Sequence, residues 1–292
     1  MLKSLFGQSV TRWIKYSEYE CVKATDGELY IVPTTKAVSF VYDPLENAES
    51  MIVEMLNIGR LCMSSEQDDA KITAELCKFV EQYGLLGFMT ALPTTPEFMN
   101  YETVYILKNR FITNESMSVD EYTSEFFPFD KEYENIKSKR GYIAEDGSMR
   151  VSMAAREKPK AIDLCYQRGY SERYEWLKTQ FKDWAFCFYS SIRYYEESDA
   201  LMKELQRRAV AVFDGNMPTY HIELFDKPTI SWNFNSLLLM IQLTLTLIMT
   251  EDNTLLRKCK HCSKAFMASR SNVLFCSPEC KNRNAVYKKL QI

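Results

Sequence analysis

Four cysteines near the C-terminus carry the clearest chemistry in this sequence of 292 residues. Their spacing, C-x2-C-x13-C-x3-C, is the spacing of metal ligands. Four thiolates leave no open coordination position, so the site is predicted to be a structural zinc site and not a catalytic one. The predicted ligands are Cys259, Cys262, Cys276 and Cys280.

Three other interpretations of the cysteine cluster stay open. The four residues could be unrelated buried or redox cysteines, His261 could replace one thiolate, and iron also accepts four thiolates. Zinc is favoured over iron because redox chemistry has no need of the basic helix predicted here. A tail of this length also lacks the apolar surface to fold alone, and metal binding supplies that folding energy.

The elements around the cysteines predict a treble-clef-like finger over residues 255–292. Cys259 and Cys262 flank a short knuckle, and the 13 residues after it suffice for a hairpin whose Phe266 and Phe275 cover the sulfurs. Ser277 suits a helix N-cap, and proline follows it at the first helical position. The last cysteine is therefore expected in the first helical turn, where the helix dipole favours an ionised thiol.

Charge is distributed unevenly between the finger and the rest of the chain. Residues 255–292 hold nine basic side chains and one acid, whereas the remaining 254 residues carry a net charge of −11. A cationic lobe of this kind is typical of a module that contacts phosphates. Two alternatives remain: docking onto a protein, including the acidic body of the same chain, or a merely solubilising helix face. The predicted nucleic-acid contacts are Arg270, Lys281, Arg283, Lys288 and Lys289.

The finger resembles the CGNR-type zinc finger of bacterial proteins. The matching residues are Cys259, Cys262, Phe266, Ser269, Arg270, Ser271, Asn272, Phe275, Cys276, Ser277, Cys280, Asn282 and Arg283. A strand pair and an apolar helix precede it in a similar order, and 79–87 faintly resembles an N-terminal helix of that family. Lys281 stands where the family has its glycine, so the motif is C-K-N-R.

Proteins of this family carry an N-terminal helical domain, the ABATE domain, and are assigned as stress-related transcription regulators. The resemblance therefore implies a zinc ion on the four cysteines and contact between the finger and DNA. It also implies a bacterial protein with an ABATE-like domain upstream of the finger. A cytoplasmic location is expected separately, because the sequence shows neither a secretory signal nor a membrane span.

Residues 1–254 are predicted to form a mixed α+β body that is mainly helical and has short β-hairpins. A tight turn at Asp26-Gly27 predicts a hairpin within 21–43, with strands at 28–32 and 37–42. Further strands are predicted at 101–109, 220–225 and 229–234, and a polar internal boundary near 128–160. Helices are predicted at about 46–61, 67–83, 171–212 in one or two pieces, and 235–251.

Other features of the body have simpler interpretations. Cys21, Cys62, Cys77, Cys165 and Cys187 are interpreted as buried small hydrophobes of a protein in the reducing cytoplasm. The aromatic stretch 166–195 is interpreted as core, with base stacking as the alternative. The longest apolar run, 237–249, is too short to span a membrane, and the N-terminus lacks a secretory signal.

Three functions remain compatible with the sequence. The chain could be a regulator whose finger contacts nucleic acid while the body senses a ligand or partner. It could instead be a protein-interaction module in which the finger clamps its own body or a protein partner, and that partner could be a second copy of the chain. In the third, the body is an enzyme and the zinc a structural staple, although no P-loop, nucleophile elbow or dinucleotide motif supports catalysis.

Overall fold

The fold was analysed in a computed structural model, which describes twelve parts of the chain. The described residues are 13–65, 68–87, 103–104, 117–118, 126–129, 142–143, 149–150, 169–211, 218–224, 226–234, 236–252 and 254–290. Their helices, after a 3₁₀ turn at Pro44–Asn47, are α1 (Ala48–Cys62), α2 (Asp69–Tyr83), α3 (Tyr174–Glu196), α4 (Ala200–Ala211), α5 (Leu237–Thr250) and α6 (Pro278–Leu290).

The strands of the described residues are short and pair antiparallel. They are β1 (Trp13–Tyr16), β2 (Tyr19–Lys23), β3 (Leu29–Pro33), β4 (Ser39–Tyr42), β5 (Thr103–Val104), β6 (Met117–Ser118), β7 (Tyr142–Ile143), β8 (Met149–Arg150), β9 (Glu172–Arg173), β10 (Thr219–Leu224), β11 (Pro228–Asn233), β12 (Leu256–Lys258) and β13 (Ala265–Met267). The pairs are β1-β4, β5-β6, β7-β8, β10-β11 and β12-β13, and β2-β3-β9 form a three-stranded sheet. Helices and short antiparallel sheets together confirm an α+β fold.

The core lies where α1 crosses α3. Gly59 of α1 makes this crossing close, because a Cβ at this position would collide with the carbonyl oxygen of Phe181. Helices α2 and α5 add apolar faces to the same core, and α5 is buried over most of its length. The aromatic residues Phe181, Trp184 and Phe188 are buried here, which confirms the core interpretation for the middle of the aromatic stretch.

The helix predictions agree with the structure in position and number over the described residues. The stretch 171–212 divides into α3 and α4, and the predicted helices at 46–61, 67–83 and 235–251 correspond to α1, α2 and α5. No helix among the described residues has both the length and the apolar character that a membrane crossing requires.

The pairing of the N-terminal strands differs from the prediction. The turn at Asp26-Gly27 joins β2 to β3, and Gly27 has the positive φ of 87° that such a turn requires. The predicted strand at 37–42 exists as β4, but it pairs with β1 and not with β3. The hairpin β2-β3 and the separate strand pair β1-β4 therefore replace the single predicted hairpin. The strand Trp13–Tyr16 was not indicated by the sequence pattern.

Other strand predictions are confirmed where the structure describes them. Strands β10 and β11 match the predictions at 220–225 and 229–234 and pair with one another. The predicted strand at 101–109 is represented by Thr103–Val104. The predicted boundary near 128–160 falls largely outside the described residues and stays a prediction.

Candidate metal centre

The first two cysteines lie on the turn of the β12-β13 hairpin. Strand β12 pairs with β13 from Leu256, opposite Met267, to Lys258, opposite Ala265. The backbone N–H of Cys259 donates to Lys264 O at 2.9 Å and thereby closes the turn. Ser263 adopts the left-handed φ of 59° that reverses the chain between the second cysteine and β13. This turn brings two thiols to the same side of the hairpin.

The last two cysteines lie at the start of α6. The Ser277 hydroxyl accepts a hydrogen bond from the backbone N–H of Cys280 at 3.2 Å, and Ser277 O accepts one from Lys281 N at 3.2 Å. Pro278 is the first residue of the helix, so its missing N–H leaves no donor unsatisfied. The predicted cap is therefore confirmed, and it fixes Cys280 in the first turn beside Cys276.

The four sulfurs converge on one point. All four Sγ atoms lie within 4.8 Å of one another. The Sγ atom of Cys276 lies 3.6 Å from that of Cys262 and 3.5 Å from that of Cys280. A tetrahedron with metal–sulfur bonds of about 2.3 Å has sulfur–sulfur edges of about 3.8 Å. The donor set and its dimensions therefore suit a metal ion held by four thiolates.

Backbone hydrogen bonds prepare the most buried ligand for ionisation. Cys259 is fully buried, and burial alone would raise the pKa of its thiol. Backbone N–H groups of Cys262, Cys276 and His261 outweigh that effect and lower the pKa to about 6. The N–H of Cys276 lies 3.5 Å from the Cys259 sulfur. A thiolate is the form that binds a metal, so the local backbone favours the ligand state.

Two details of the predicted finger are corrected or refined. The prediction of a hairpin between the two cysteine pairs is wrong. The strand in that interval, β13, pairs with β12, which precedes the first cysteine pair, and residues 268–277 contain no strand. The hairpin therefore encloses the first cysteine pair instead of following it. His261 lies outside the group of four ligands, and its ring packs against Tyr287 of α6 with 5.6 Å between centroids.

One side of the β12-β13 hairpin packs on the body, and we call it the docking face; it comprises Leu256, Lys258 and Ala265. Leu256 and Ala265 are 3% and 2% exposed and belong to the buried core. The side-chain amide of Asn57 on α1 donates to Ala265 O at 3.0 Å and accepts from Ala265 N at 2.9 Å. Asn57 therefore pairs with the outer edge of β13 much as a neighbouring strand would.

Helix α6 and the loop before it carry exposed cations, and we call Arg270, Lys281 and Arg283 the basic face. All three side chains are exposed, and within the described part of the chain none of them forms an ion pair. Lys288 and Lys289 continue α6, although their side chains lie outside the described residues. The five predicted contact residues thus share one helix and the loop before it, and their role in nucleic-acid binding stays a prediction.

Two features escaped the sequence interpretation. Asn57 has no local pattern that distinguishes it from any other polar helix residue, so its bond to a strand 208 positions away could not be foreseen. The interpretation of Cys21 and Cys77 as buried small hydrophobes is wrong in their burial, because both are only half-buried. Their sulfurs lie 3.7 Å apart, a contact that the sequence did not indicate. Cys62 and Cys187 are buried as predicted, and Cys165 lies outside the described residues.

No protein-family model matches the chain, and no curated protein and no solved structure matches it.

Proposed function

We propose that the chain is a regulator whose C-terminal finger binds structural zinc and contacts nucleic acid through the basic face. One observation carries the proposal: the helix that begins at the cysteine cluster exposes Lys281 and Arg283 to solvent, and neither side chain forms an ion pair within 4 Å among the described residues. Glu279 lies one helical turn before Arg283, and the pKa of that carboxyl is lowered by a hydrogen bond from Ser277 and also by the positive charge of Arg283. A cationic face that holds more basic than acidic side chains is suited to phosphate contacts.

Zinc supports this arrangement better than a redox metal. A closed set of four thiolates suits a structural zinc ion, which would order the knuckle and the first turn of α6 together. The order of knuckle and ligand-bearing helix is compatible with a treble-clef-like finger. The hairpin expected between the two cysteine pairs is not among the described elements. The ligands need a reducing compartment, which favours the cytoplasm. Membership of the CGNR family remains part of this proposal.

The distribution of contacts favours the regulator over intramolecular clamping of the basic face. Clamping of α6 on the body would pair its cations with body carboxylates, yet Lys281 and Arg283 are exposed. The finger reaches the body through the docking face instead, so attachment and cation exposure are compatible. We infer that the body positions the finger and supplies the sensing function.

The test is a binding titration of the full-length, zinc-loaded protein with fluorescently labelled duplex DNA of mixed sequence. If five basic side chains contact phosphates, the logarithm of the affinity should fall with the logarithm of salt concentration at a slope of about −4.5. That slope corresponds to a loss of roughly 500-fold between about 50 and about 200 mM salt. The variant R270E/K281E/R283E should not bind, while its metal content stays at one equivalent.

A matched control separates specific contact from net charge. The variant K23E/K36E/K71E makes the same charge change on exposed lysines of the body, and we expect it to retain most of the affinity. Equal losses in the two variants, or affinity that does not respond to salt, would contradict the proposal.

A second candidate function rests on the docking face. Because Leu256 and Ala265 belong to the core of the body, the finger also serves as a stabilising clamp. If DNA binding fails in the titration and removal of the metal lowers the stability of the body, this clamp becomes the better description of the finger.

A further inference from the structure

Cys21 and Cys77 form a second pair of thiols, far from the metal centre in sequence and on different elements. Cys21 lies in the middle of β2, opposite Ile31 of β3, and Cys77 lies in the interior of α2. Their Sγ atoms are 3.7 Å apart, which is van der Waals contact for two sulfurs that are not bonded. Pairing with β3 and the helical hydrogen bonds of α2 hold both backbones in place, so the contact is part of the fold.

The pair is also accessible. Both residues are half-buried, whereas Cys62 and Cys187 are 0% and 5% exposed. A small oxidant in solution can therefore reach the pair more readily than the two core thiols. The hydrogen bond between the two thiols lowers the pKa of Cys77 and raises that of Cys21, so one sulfur of the pair ionises before the other.

We propose that Cys21 and Cys77 are a modification site at which hydrogen peroxide or a related peroxide forms a reversible disulfide between β2 and α2. In the first step, one thiolate attacks a peroxide oxygen, the O–O bond breaks, and the thiolate becomes a sulfenic acid. The departing hydroxide takes up the proton that the first thiol had released and becomes water. In the second step, the other thiol attacks the sulfur of the sulfenic acid, the S–S bond forms, and a second water leaves. Two thiols are oxidised by two electrons, and one peroxide is reduced to two molecules of water.

The geometry needed for the disulfide is close to the geometry present. The bonded distance is about 2.05 Å, so the two sulfurs together must approach by less than about 2 Å. Rotation of the side chains about their Cα–Cβ bonds supplies a movement of this size. The cross-link would tie the N-terminal sheet to α2, which packs against α1, the helix that carries Asn57.

The test uses the full-length, reduced, metal-loaded protein treated with one equivalent of hydrogen peroxide. Remaining thiols are alkylated under native conditions, and the protein is digested and analysed by mass spectrometry. We expect a cross-linked peptide pair that contains Cys21 and Cys77 and disappears after treatment with dithiothreitol. Metal release, followed in the same samples, should begin only at higher peroxide concentration.

Variants test the pairing from both sides. In Cys77→Ser, Cys21 has no resolving partner and should accumulate as sulfinic acid in excess peroxide, and Cys21→Ser should do the same to Cys77. The control Cys62→Ala should retain the cross-link. Because the wild-type protein alone gives the decisive peptide map, a poorly folded variant does not affect the conclusion.

Two results would overturn the proposal. One is recovery of Cys21 and Cys77 as alkylated thiols while other cysteines oxidise. The other is a cross-link that appears only after the metal has been lost, since the oxidation would then report an opened protein and not the native contact.

Discussion

The two faces of the finger are built on opposite principles. The docking face contributes the buried residues Leu256 and Ala265 to the core, and it is joined to α1 by the two hydrogen bonds of a single amide. The basic face is exposed, and its cations form no ion pair within 4 Å in the described residues. The cysteine cluster brings one cysteine pair on the hairpin together with another pair at the start of α6.

This difference shows how a small element can be held in place by one face and still offer another face for binding. Apolar burial and hydrogen bonds to the backbone have strict geometric requirements, so they fix the docking face. The cations of the basic face are solvated by water and stay accessible to a binding partner. A metal ion on the four cysteines would join the hairpin to the start of α6, in addition to the ring contact between His261 and Tyr287 and the hydrogen bond from Lys260 N to Leu274 O.

The largest effect is expected from breaking this connection at the metal. Cys262→Ser removes one of four ligands and should reduce bound zinc from one equivalent to none, because an exposed finger of this size depends on metal for its order. Metal analysis and circular dichroism should report loss of metal and of helix α6. DNA affinity should fall with them.

The control for this loss is Cys187→Ala, which removes a buried thiol outside the cluster. It should bind one equivalent of metal. A Cys262→Ser protein with full metal content would mean that the four sulfurs do not act as one site.

A smaller effect should follow from breaking the docking face alone. Asn57→Ala leaves the N–H and C=O of Ala265 without their partner, and we expect a loss of about 2 kcal/mol in the free energy of unfolding. Urea unfolding measures it, and metal content should stay at one equivalent.

Asn47→Ala is the matched control, because Asn47 is exposed at the start of α1 and its side chain makes no capping bond. Its effect should stay within about 0.5 kcal/mol. Equal losses at Asn47 and Asn57 would mean that the bond to Ala265 does not explain the change, since alanine is a better helix former than asparagine.

The smallest effect should come from the charged rim of the docking face. Lys258 Nζ lies 4.0 Å from a Glu196 carboxylate oxygen, and the two side chains are 33% and 65% exposed. An ion pair in this environment contributes little, so Lys258→Met should change stability by less than about 0.5 kcal/mol. Unfolding at low and high salt checks this, and a large salt-dependent loss would show that electrostatics, not packing, holds the docking face.

Sequence patterns predicted the features that depend on neighbouring residues. Ser277 caps α6 by accepting a hydrogen bond from Cys280 N at 3.2 Å, and this cap was predictable because caps are formed within one helical turn. The spacing of the four cysteines likewise predicted their convergence. These signals are local, so the order of residues alone is sufficient to find them.

Features that join distant segments could not be predicted in the same way. Which strand β4 pairs with, which strand β13 pairs with, and the contact of Cys21 with Cys77 each depend on packing of the whole body. Alternation of side chains indicates that a strand exists but does not select its neighbour. The bond between Asn57 and Ala265 belongs to the same class.

The two hydrogen bonds between the Asn57 side chain and Ala265 of β13 also have a mechanical consequence. Helix α6 contains 13 residues and is therefore about 20 Å long, and it begins at the cysteine cluster. If the finger moves with α1 as one unit, a tilt of about 5° in α1 beneath Asn57 would displace the far end of α6 by about 2 Å. A small tilt of a core helix would then move the far end of the finger by a distance comparable to the length of a hydrogen bond.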